Sequence, residues 1–79
     1  MGIFARIVEL ENNEQCLLVR KYNEEDEREC VIITHDFDGV RVDLTLNFKN
    51  KEGAEDFFIN ETKENFEKQK QGLIEKLGL

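Results

Sequence analysis

The chain is predicted to fold as α+β: a four-stranded antiparallel β-meander followed by a C-terminal helical segment. Three observations carry that prediction. Val40–Phe48 alternates apolar and polar residues without exception, as a half-buried strand does. Asp38-Gly39 before it is the strongest hairpin signal in the chain. From Ala54 to Leu77 the apolar residues recur at spacings of three and four, the period of a helix with one buried stripe.

Strand one is read from Gly2 to Leu10, closed by the turn Glu11-Asn12-Asn13-Glu14, where Asn tolerates left-handed backbone. Strand two is Gln15–Tyr22, followed by a wider acidic loop around Glu24, Glu25, Asp26 and Glu27. Strand three runs from Arg28 to Phe37, and strand four ends at Phe48. No proline interrupts these runs. The 79 residues are expected to form a single domain, with the sheet in 1–49 and the helical segment in 50–78.

The turns also imply a register. Asp38-Gly39 at a tip sets Phe37 opposite Val40 and Ile33 opposite Leu44. Centring the acidic loop on Glu25 sets Val31 opposite Val19, and centring the first turn between Asn12 and Asn13 sets Leu17 opposite Val8. One face then collects Phe4, Val8, Leu10, Leu17, Val19, Val31, Ile33, Phe37 and the apolar residues of strand four, a consistent core. The other face holds Ile3, Ala5, Ile7, Cys16, Leu18, Tyr22, Cys30 and Ile32, but Arg41, Asp43, Thr45 and Asn47 on strand four. A fully solvated face would not carry so many apolar residues.

Asn50 is a plausible N-cap for the helical segment and Gly78 a C-terminal stop. A helix from Lys51 to Leu77 would be about 40 Å long at about 1.5 Å per residue. The strands span only about 27 Å at about 3.3 Å per residue. Either the helix breaks near 60–62 or its second half overhangs the sheet. A break could send the second piece to the apolar second face. An overhang would offer Phe66, Leu73 and Leu77 to another chain.

Composition excludes several function classes. With 18 acidic and 11 basic residues the net charge is −7, the wrong sign for general nucleic-acid binding. Arg20, Tyr22 and Arg41 on the second face are too few to reverse that. Serine is absent, which removes serine nucleophiles. Cys30 and His35 have opposite parity on one strand, and Cys16 falls on the face of Cys30, so no Cys–His pair is expected. The same register sets Cys16 opposite Thr34 and Cys30 opposite Arg20, too far apart for a disulfide.

Asp36-Phe37-Asp38-Gly39 resembles the start of a calcium loop. Val40 and Arg41 then stand where an oxygen ligand and a glycine are needed. Neither a metal nor a cofactor is expected, and no catalytic residue is assigned. Asn60-Glu61-Thr62 fits a glycosylation pattern, but no signal-peptide pattern or membrane-length apolar run accompanies it. A cytoplasmic location is expected.

What remains is a binding role. The chain reads as a small acidic non-enzymatic protein-interaction module, self-associating as a homodimer through the apolar second face or the helix overhang. The contact residues would be Ile7, Leu18, Cys30 and Ile32 in the first case, and Phe66, Leu73 and Leu77 in the second. The alternative is an acidic inhibitor or modulator that docks on a basic site, of the kind that binds nucleic acid, on a partner protein. Its contact would be the acidic loop Glu24, Glu25, Asp26, Glu27 and Glu29.

Overall fold

The computed structural model describes residues 4–25 and 27–78, apart from the side chain of Asn23. Among the described residues, β1 (Phe4–Glu9), β2 (Gln15–Asn23), β3 (Arg28–Phe37) and β4 (Val40–Phe48) form one antiparallel sheet in the order β1-β2-β3-β4. Two helices follow, α1 (Lys51–Asn60) and α2 (Lys63–Leu77). The fold is the predicted α+β meander with a C-terminal helical segment. The expected start of strand one at Gly2 and Ile3 lies outside the described residues.

The hairpin at Asp38-Gly39 has the expected register, Phe37 opposite Val40 and Ile33 opposite Leu44. Asp38 and Gly39 both have positive φ, 50° and 74°, as this two-residue turn requires. The other two pairings differ from the prediction by one residue. Val8 pairs with Cys16 rather than Leu17, and Val31 pairs with Arg20 rather than Val19.

The physical reason is loop length. The first turn is a three-residue 3-10 turn, Glu11–Asn13, with Asn12 and Asn13 both at φ 62°, closed by Leu10 N–H donating to Glu14 O at 2.8 Å. The acidic loop spans the four residues between Asn23 and Arg28, with Glu27 at φ 52°. Each one-residue change turns β2 over relative to its neighbours. Cys16, Leu18 and Arg20 therefore face the helices, and Leu17 and Val19 take the opposite face.

The core lies between the sheet and both helices. Val8, Leu10, Cys16, Leu18, Val31 and Ile33 meet Ala54, Phe58 and Phe66, with Leu44, Leu46, Phe48 and Phe57 packed around them. Phe57 bridges the strand and helix layers, its ring centroid 5.7 Å from Phe48 and 6.2 Å, edge-on, from Phe66.

The helical segment breaks at Glu61-Thr62, the first of the two outcomes anticipated. Asn50 caps α1 by accepting from Gly53 N–H at 2.8 Å, and Thr62 caps α2 by accepting from Asn65 N–H at 3.2 Å. Gly78 ends α2 in left-handed geometry, φ 74°.

The break does not carry α2 to the second face. Arg6, on the helix side of β1, donates to the Phe58, Ile59 and Glu61 carbonyls and so holds the C-terminal end of α1 over that edge. α2 is then tied to the opposite end of the same face. Glu67 accepts from Glu11 N–H at 3.2 Å, Gln69 meets His35, and Lys70 pairs with Glu14. Phe66 is consequently 1% exposed, a core residue rather than an overhanging one. No helix among the described residues is long and apolar enough to cross a membrane.

Candidate functional site

Both helices occupy one side of the sheet, so among the described residues the other side is left uncovered. Its side chains form rows across the strands. One row is Ala5, Val19, Ile32 and Thr45; the next, toward the two tight turns, is Ile7, Leu17, Thr34 and Asp43. Toward the acidic loop, Lys21, Cys30 and Asn47 form a third. The apolar part thus lies on β1–β3 and the polar part on β4. Ile7 is 60% exposed, Ala5 is exposed, and Leu17, Val19 and Ile32 are half-buried, with neither helix packed over them among the described residues. A shallow depression of ≈ 470 Å³ runs over this face between Ile7, Leu17, Thr34, Asp36 and Arg41.

The charges of this face balance. Glu9, Asp36 and Asp43 are negative; Lys21, Arg28 and Arg41 are positive. Three against three gives zero on a chain of net −7, so the acidic excess lies elsewhere. Asp43 accepts from Thr34 Oγ1 at 2.7 Å and from Arg41 Nε at 3.4 Å. The Thr34 hydrogen bond, aided by Arg41, holds its carboxyl below the usual range.

The corrected register also joins two residues expected to point apart. Cys16 and His35 are cross-strand partners on the helix side, with Cys16 Sγ 4.0 Å from His35 Nε2. His35 Nε2 donates to Gln69 Oε1 at 2.6 Å, and its buried Nδ1 has no hydrogen-bond partner among the described residues. This Cys–His contact is not poised for nucleophilic chemistry. The ring nitrogen nearest the sulfur carries the hydrogen and cannot take the thiol proton. Burial pushes the Cys16 thiol up to about 11, the reverse of activation. His35 is 1% exposed, so substrate could not reach the pair without opening the core.

The remaining sequence-based contact residues divide. Ile7 and Ile32 do lie on the open face. Cys30 lies there too, but only 3% exposed, between Lys21 and Asn47. Leu18 is fully buried beneath the helices, a consequence of the turned-over β2, and offers no surface. Leu73 is half-buried on α2, and Leu77 is exposed at its end.

In the acidic loop Glu24, Glu25 and Glu27 are exposed, and Asp26 lies outside the described residues. Glu29 turns away from them to Arg20, which also pairs with Glu55 at 3.2 Å and lies 4.9 Å over the Phe4 ring. Arg20 and Tyr22 thus stand on the helix side and do not join Arg41.

Cys16 and Cys30 are free thiols on opposite faces. Leu17 and Val19 are the surface residues that sequence reasoning missed. β2 is apolar at both parities, and no residue within it marks which parity is outside. No protein-family model matches the chain, and no curated protein or solved structure matches it.

Proposed function

We propose that this chain is a non-enzymatic protein-interaction module that self-associates through the open face of its sheet. The observation that carries this reading is the apolar surface made by exposed Ala5 and Ile7 with half-buried Leu17, Val19 and Ile32, on a side that neither helix reaches. Burying apolar area contributes roughly 25 cal/mol per Å². A chain this small, whose own core removes only about 60% of the unfolded surface from water, gains proportionally more from such a contact than a large one. The zero net charge of the face favours a second copy over a basic partner. Two molecules of charge −7 repel at most surfaces, and here they need not. A polar rim around an apolar centre is the usual anatomy of such an interface. Two buried thiols suit a reducing, cytoplasmic location.

Sedimentation equilibrium over a protein concentration series tests this reading, on the wild type and on Ile7→Asp. Ile7 is the one large exposed apolar side chain of the patch, at 60%, so the substitution leaves the core intact. The wild-type mass should rise toward that of a dimer, persist at 1 M salt, and fall to that of a monomer in Ile7→Asp. A wild type that is monomeric at millimolar concentration overturns the proposal. Association abolished by salt and indifferent to Ile7 does so too, and points to the acidic loop as the contact.

A further inference from the structure

The open face does not merely balance its charges; it separates them. Arg41 and Asp43 pair with each other. The other four, Glu9, Lys21, Arg28 and Asp36, are exposed and have no hydrogen bond or ion pair among the described residues. Glu9 and Asp36 lie at the end of the sheet that carries the 3-10 turn and the Asp38-Gly39 hairpin. Lys21 and Arg28 lie at the end that carries the acidic loop. The unpaired charges thus make one acidic and one basic end, with the apolar rows between them.

We infer that two copies pack these faces together about a two-fold axis that runs across the strands, along the row Ala5, Val19 and Ile32, setting Asp36 of each protomer against Arg28 of the other. This inference rests on the self-association proposed above and specifies its geometry. On β3, Ile32 lies midway between Arg28 and Asp36, four residues from each. A two-fold axis through Ile32 and across the strand therefore exchanges the two charged positions. Val19 and Ala5 occupy the same cross-strand row, so the axis also stacks the apolar residues of one copy on those of the other.

An axis parallel to the strands would lay acidic end on acidic end and basic on basic. Like charges brought together in that way oppose association. Packed sheets cross at about 30°. At four residues from the axis, about 13 Å, that angle moves an end sideways by roughly one strand spacing. An arginine side chain spans this. The loop carboxylates Glu24, Glu25 and Glu27 lie beyond Lys21 and Arg28 and offset their charge, so the effect rests on the facing Asp36–Arg28 pairs themselves and is moderate.

Arg28→Glu, Asp36→Arg, the double variant and a mixture of the two single variants form the test, each measured for dimer dissociation at low ionic strength. Each single reversal replaces two symmetry-related attractions by two repulsions and should weaken the homodimer by roughly tenfold. The double variant restores both pairs with their polarity exchanged, and should return to within about threefold of the wild type. Mixing the single variants should produce a heterodimer tighter than either homodimer, since only there is every opposing pair of opposite sign. A wild type that dimerises while the single reversals change nothing, or while mixing yields no preferred heterodimer, overturns this orientation and leaves the open-face association intact. A wild type that never dimerises overturns both.

Discussion

The two faces of the sheet are built from the same strands and differ in how their charges end. On the helix side each basic side chain of the sheet has a partner. Arg6 donates to the last carbonyls of α1, and Arg20 meets Glu29, Glu55 and the Phe4 ring. Lys70, reaching down from α2, meets Glu14. On the open side four charges have no partner among the described residues and surround an apolar centre. A face that closes within one chain satisfies its polar groups there, because a buried unpaired charge costs several kcal/mol. A face left open has no such need, and its charges are available to specify a neighbour.

The largest expected contrast lies in truncation of an aromatic. Phe66 touches the core from α2 and the Phe57 ring from α1, so Phe66→Ala removes the packing that holds both helices to the sheet. A loss of about 3–5 kcal/mol is expected from chemical denaturation at micromolar protein, where association contributes little. An equal loss for a truncation on the open face would erase the distinction between the two sides.

Cys16 gives a smaller, pH-dependent contrast. Its thiol is raised in the folded chain from about 9 to about 11, so the native state holds the proton more tightly than the unfolded one. Below pH 9 both states keep it and the stabilisation is complete. Between pH 9 and 11 the unfolded chain loses the proton first, and stability falls by about 2 kcal/mol. Lysine and tyrosine titrate in the same window, so the informative quantity is the difference between wild type and Cys16→Ala. The wild type should lose more stability from pH 9 to 11. Parallel pH curves would mean that the thiol is not desolvated.

Much of the architecture was legible because several local signals agreed. Asp38-Gly39, the alternation of Val40–Phe48 and the caps Asn50 and Gly78 each named one element and its boundary. The orientation of β2 was not legible. Cys16 and Leu18 at one parity, and Leu17 and Val19 at the other, are equally able to fill a core, so the hydrophobic pattern specifies no register. The outcome depends on turn geometry that composition does not reveal, namely left-handed backbone at Asn12, Asn13 and Glu27. It also depends on ion pairs that exist only after folding, Arg20 with Glu29 and Glu55. That single ambiguity carried Leu18 onto the wrong face, concealed the contact of Cys16 with His35, and hid Leu17 and Val19 among the core residues.

The smallest effect is the most diagnostic. Ile7→Ser removes an exposed side chain that touches neither helix, so at micromolar protein the stability of the chain should change by no more than about 0.5 kcal/mol. At millimolar protein the same substitution should lower the thermal midpoint relative to wild type, because the proposed dimer would add stability that grows with concentration and the variant would lack it. The two melting series should therefore coincide at low concentration and diverge at high. If they diverge already at low concentration, Ile7 belongs to the fold itself. If they never diverge, the apolar rows of β1–β3 meet only water, and the unpaired charges around them have no neighbour to select.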